Sequence, residues 1–184
     1  TADIQTTNQT ALSVVWAARL DSSTTVNPDA LTVVNHGTIS GTINDYWGGG
    51  FGGVSLTTND TLQNEGTINA AFTATNGGTS YNAAVTYGAS LINNGRITLD
   101  GSYGAYNVQS VVNTGTIEQT GPGASYGIYN AYSVTNSGTI RTANSAIAGG
   151  YSTTVVNSGT IASTAATAIT SATQVTNLAG GTIS

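Results

Sequence analysis

The chain has 184 residues, room for one domain of ordinary size. Only 6% are charged, and three Arg with no Lys in a net charge of −5 exclude the basic, phosphate-tracking surface that nucleic acid requires. Zero Cys removes disulfides, thiolate metal sites and cysteine nucleophiles together, and apolar stretches such as the one broken by Ser13 and Arg19 fall far short of the ~20 residues of a membrane span.

Residues 1–30 alternate at Leu12, Val14 and Trp16 and turn at Asn27-Pro28-Asp29, but they lack the motif that follows. They read as an irregular first coil or an amino-terminal cap, since terminal repeats are usually atypical. From residue 31 onward the pattern aliphatic-x-Asn-x-Gly-Thr-Ile recurs. Its copies are VVNHGTI (33–39), LQNEGTI (62–68), LINNGRI (91–97), VVNTGTI (111–117), VTNSGTI (134–140), VVNSGTI (155–161) and the longer VTNLAGGTI (175–183). The asparagines stand at Asn35, Asn64, Asn93, Asn113, Asn136, Asn157 and Asn177, so the base period is about 20, and the first two units carry extra loops at about 44–53 and 70–82.

Each copy reads as strand, corner, strand. The aliphatic residue two before Asn (Val33, Leu62, Leu91, Val111, Val134, Val155, Val175) shares the Asn side of the ribbon, and the mixed residue between them fits an outward or groove-facing column. The motif glycines supply the freedom for φ > 0 that a tight bend often demands. Ile39, Ile68, Ile97, Ile117, Ile140, Ile161 and Ile183 then return inward, and a third short run (52–56, 83–87, 103–107, 126–130, 145–149, 167–171) closes the unit. The expected fold is all-β: a parallel β-helix, or β-solenoid, of seven to eight coils of ~20 residues with three short strands each, one continuous domain over 31–184. Stacking at about 4.8 Å puts like residues on top of one another, so the asparagines should form an amide ladder, and low charge follows because stacked like charges repel.

Few residues offer chemistry. His36, the single histidine, follows the Asn of its coil, and Glu65 is its equivalent one coil on, which suggests a solvated turn pair. Glu118 and Arg141 share an offset in successive coils and are expected to form an exposed ion pair. Asp45, Asp60, Asp100 and Glu118 have different offsets and do not stack into the facing acid pair that sugar cleavage needs. No catalytic, cofactor or metal site is assigned. The Thr column after each corner is nearly regular, but the column beside it (Ser40, Asn69, Thr98, Glu118, Arg141, Ala162) is not, which argues against an ice-ordering face.

Binding is better provisioned. SYGAYN (102–107) and SYGIYN (125–130) should stack Tyr103 on Tyr126 and Tyr106 on Tyr129, as core or groove filling or as an exposed platform. The loops add Tyr46, Trp47 and Phe51, then Phe72 and Tyr81, either as ligand contacts or as covers for an open groove. The glycine run at 48–50 is not a phosphate loop, because no Gly-Lys-Ser/Thr follows it.

The repeated N-x-G-T-I units, the Thr/Asn/Gly/Ala bias and the lack of Cys make residues 31–184 resemble the passenger region of Gram-negative autotransporter (type V secreted) proteins. That resemblance implies export through the periplasm, a carboxyl-terminal β-barrel translocator in the parent chain, and display at the cell surface or release from it. It also leads to the expectation that the chain is a piece of a longer solenoid, as its ending directly after a motif and its lack of a starting Met suggest. The expected role is non-enzymatic: adhesion or cell–cell self-association, in biofilm or host attachment, through many weak contacts along the rod. The partner would be another copy, or a host or bacterial surface protein or glycan; nucleic acid and direct membrane insertion are not expected. A polysaccharide-acting β-helix enzyme and a ligand-free stalk are the alternatives.

Overall fold

The computed structural model describes residues 4–7, 12–13, 32–43, 54–55, 60–72, 83–86, 89–123, 125–150 and 152–184. Every regular element among them is a β-strand, and every strand pairing is parallel. The chain winds as a parallel β-solenoid whose strands stack in three columns.

The first column holds the strands that end on the motif asparagines: Thr32–Asn35, Thr61–Asn64, Ser90–Asn93, the second halves of Tyr103–Asn113 and Tyr126–Asn136, Thr154–Asn157 and Gln174–Asn177. The second is an eight-stranded sheet built from the strands after each corner, from Thr38–Ile43 to Thr182–Ile183, with Ile4–Thr7 laid in register on the first of them, Ile4 against Ile39. The third holds Leu12–Ser13, Val54–Ser55, Ala83–Thr86, the first halves of the two long strands, Ile147–Ala148 and Ile169–Thr170. Columns one and three belong to one hydrogen-bonded sheet because the chain runs through Asn107 and Asn130 without breaking the strand.

The coil length expected from the motif spacing holds for four uninterrupted turns, at 20, 23, 21 and 20 residues from Asn93 to Asn177. That is fewer than the seven to eight expected. Two earlier rungs are 29 residues apart, because the loops lengthen them, and they are described only in part.

Alternation decides what is buried. Leu62, Leu91, Val111, Val134 and Val155 lie inside at 0–1% exposure, and the isoleucine column from Ile39 to Ile161 is inside with them. The intervening residues face out, with Val34, Val112 and Val156 all exposed. Each β-branched or leucine side chain packs on its copy above and below, which is why one coil cannot fold alone and a stack can.

The corner holds two results. The asparagines form a one-way amide ladder: Asn35 Nδ2 donates to Asn64 Oδ1 at 2.7 Å, and the same bond repeats down to Asn157 and Asn177 at 2.7–2.8 Å. Each interior amide also donates to the glycine carbonyl two residues on and to the carbonyl after the next corner. The motif glycines, by contrast, do not take left-handed backbone; among described glycines only Gly101 and Gly180 do. Close stacking is what demands them. A Cβ on Gly115 would stand 2.0 Å from the Gly95 oxygen, and that oxygen is occupied as acceptor for the Thr116 N–H at 2.9 Å.

Candidate functional site

The tyrosines of the two SYG-x-YN runs come together as the repeat predicts. Tyr103 registers against Tyr126 and Tyr106 against Tyr129. The rings stack pairwise, with centroids 5.6 and 5.4 Å apart and planes within 9° and 12°. Tyr106 also stands tilted against Tyr103 at 5.1 Å, and Tyr126 lies edge-on to Tyr129 at 5.8 Å, giving a two-by-two patch. Tyrosines three apart would leave opposite faces of a regular strand, but two consecutive inward residues, Gly104-Ala105 and Gly127-Ile128, offset the alternation. Gly104 and Gly127 are needed there because a Cβ would run into the Ile117 and Ile140 side chains. Three rings are half-buried, and Tyr129 reaches 36% exposure.

Beside the patch lies a feature that sequence reasoning missed. Asn107 and Asn130 hold left-handed backbone, φ 53° and 54°, and turn the chain from column three into column one. Their side chains form a second amide ladder, Asn130 Nδ2 to Asn107 Oδ1 at 2.7 Å. The signal was available: Asn tolerates this conformation better than other side chains, and it ends both runs at the same offset.

At the motif corner the surface is polar. Gln63 Nε2 and Asn94 Nδ2 each donate to Glu65 Oε1 at 2.7 Å, and Thr114 Oγ1 donates to Asn94 Oδ1 at 2.8 Å. The bond from Gln63, then that from Asn94, and a weaker attraction from His36 hold the Glu65 carboxyl below its ordinary pKa.

The expected ion pair is corrected. Glu118 does register against Arg141, yet the salt bridge runs diagonally to Arg96, whose Nε donates at 2.8 Å. Arg141 forms no ion pair among the described residues. Among the described residues no three His, Cys, Asp or Glu side chains converge, and no helix is long and apolar enough to cross a membrane. Asp100 accepts the Gly123 N–H at 2.8 Å, and Asp60 is buried.

Of the loop candidates, Tyr46, Trp47, Phe51 and Tyr81 lie outside the described residues, as does Asp45. Phe72 closes the backbone strand Thr67–Phe72. A cavity of about 520 Å³ opens on the last coil, lined by Ala168, Ile169, Ala172, Val175 and Ile183 among others.

The outward side of column one is the other surface of note. Its two ranks are a mainly hydroxyl rank, Thr32, Thr61, Ser90, Ser110, Ser133 and Thr154 ending at Gln174, and a largely β-branched rank, Val34, Ile92, Val112, Thr135, Val156 and Thr176 interrupted by Gln63. No charged residue points outward in any of its seven strands, whereas column two carries Arg96, Glu118 and Arg141. No protein family, curated protein or solved structure matches the chain.

Proposed function

We propose that the chain is part of a surface-displayed or secreted passenger of the type V class, exported through a β-barrel translocator, and that it acts in adhesion or cell–cell self-association. The single observation that carries this reading is the uncharged outward face of column one. Seven rungs at about 4.8 Å make it roughly 30 Å long, with methyl and hydroxyl groups in adjacent ranks broken only by the amides of Gln63 and Gln174. One such strip is too small for a stable protein interface, which buries about 800 Å² on each partner. Repeated along a rod and across many rods, weak contacts of this kind add through effective concentration. Like-charge repulsion, which keeps most surfaces apart, is confined here to Glu65 at the edge of the face, where Gln63 and Asn94 hold it.

The test is clumping of beads coated with the chain, scored with and without free chain as competitor. Coated beads are expected to clump, and free chain to disperse them. Val112→Lys with Val156→Lys, both on exposed outward positions, should abolish clumping while leaving the unfolding midpoint close to wild type. Beads that stay dispersed, or clump equally with the double variant, overturn the self-association reading.

A further inference from the structure

We propose that the Tyr103/Tyr106/Tyr126/Tyr129 patch is a saccharide subsite, holding a neutral, β-linked pyranose of gluco configuration against the exposed ring of Tyr129. The rings stack along the rod, so each covers its neighbour's face. Toward the carboxyl end no ring continues the stack in register, because Tyr129 registers against Ala148 and Ala148 against Thr170. Tyr129 is the most exposed of the four rings, at 36%, and its exposed surface is the aromatic wall of the subsite.

The surroundings select the ligand. Among the described residues, those registered against the rings are Ala83, Thr86 and Ala148, none of them charged, which favours a neutral ligand. The Asn107–Asn130 amide ladder stands directly beside the rings, with Asn130 exposed, to meet hydroxyl groups. A ligand flat and apolar on one side and rich in hydroxyls at its rim meets both demands. A β-gluco ring carries all its hydroxyls equatorially, leaving only C–H bonds over each face, whereas galacto and manno rings place an axial hydroxyl there. Size agrees: ring centroids 5.1–5.8 Å apart span one or two sugar units, far less than a protein partner covers. The proposal deepens the adhesion reading and rests on it for the use of the site, but the binding event does not depend on self-association.

Titration calorimetry with chitopentaose and cellopentaose tests it. Wild type is expected to bind at least one of them at millimolar concentration, Tyr129→Phe to bind within threefold of wild type, and Tyr129→Leu to bind at least tenfold more weakly. Should Tyr129→Leu fail to fold, chemical-shift mapping on wild type replaces it, with the Tyr129 ring protons expected to move as sugar is added. No binding of either sugar to wild type, equal binding by folded Tyr129→Leu, or binding that leaves the Tyr129 ring signals unmoved overturns the proposal. Bead clumping separates the two readings. Clumping by a wild type that binds no sugar refutes the subsite alone; sugar binding by beads that never clump refutes self-association alone.

Discussion

Replacing Asn113 with alanine probes the ladder where it is best sealed. The side chain is fully buried and accepts from Asn93 Nδ2 at 2.7 Å. It donates to Asn136 Oδ1 at 2.7 Å, to the Gly115 oxygen at 3.3 Å and to the Thr139 oxygen at 3.2 Å. Asn93 Nδ2 would keep its two longer bonds, to the Gly95 and Thr116 oxygens, whereas Asn136 Oδ1 would lose its ladder donor. A net hydrogen bond is worth about 1 kcal/mol and a stranded buried group costs about 1–3 kcal/mol, so two lost ladder bonds and one stranded acceptor come to about 3–5 kcal/mol. Asn177→Ala is the internal control: it removes one ladder bond and the bond to the Gly181 oxygen at an exposed position, where water replaces both partners, and should cost about 1 kcal/mol or less. Urea unfolding followed by far-ultraviolet circular dichroism measures both, with unchanged slopes confirming that the same surface is being exposed. Costs that agree within about 1 kcal/mol would refute the view that the ladder bonds are made and sealed from water.

Other expectations concern the corner and the surface. Gly138→Ala would put a Cβ 2.1 Å from the Gly115 oxygen and should fail to fold or lose several-fold more stability than Gly180→Ala, which meets nothing within 4 Å and pays about 1–2 kcal/mol for its left-handed backbone; equal losses in urea unfolding would contradict the stacking argument. The Glu65 carboxyl should titrate below its ordinary value by carbon-detected NMR and move back up in Gln63→Ala. Because its folded pKa is depressed, its contribution is present above the unfolded pKa and disappears as pH falls through the folded one. An unshifted Glu65 would remove the corner bonds from the account. Glu118→Gln, whose Arg96 partner is 55% exposed, should cost no more than about 1 kcal/mol by the same unfolding measurement.

Much of this architecture is legible in the sequence because stacking copies each coil's instructions onto the next. The inward columns, the amide ladder and the tyrosine pairs follow from spacing alone, since a coil-length offset fixes which residues superpose. What the sequence misleads on is what lies between superposed positions. Glycine in the motif suggests a bend in the backbone, yet its job is to admit the carbonyl of the preceding coil, a close approach visible only once coils are stacked. Register puts Glu118 opposite Arg141, but the long Arg96 side chain reaches it diagonally from two residues earlier in the neighbouring strand. The left-handed asparagines at 107 and 130 sit between two short strand patterns that merge into one, so the corner leaves no gap between strands to mark it. The uncharged face was equally hard to see, because its residues are unlike in type and alike only in lacking charge. The aromatic loop residues at 44–53 and 73–82 are legible as candidates and lie outside the described residues.

Side-chain amide NMR of the motif asparagines tests the stacked solenoid most directly. The account predicts cross-relaxation between the side-chain amides of Asn93 and Asn113 and of Asn113 and Asn136, residues 20 and 23 apart, together with slow hydrogen exchange at Asn64, Asn93, Asn113 and Asn136 and fast exchange at Asn177. Amides that exchange as quickly as Asn177 throughout, with no contacts between successive coils, would contradict it.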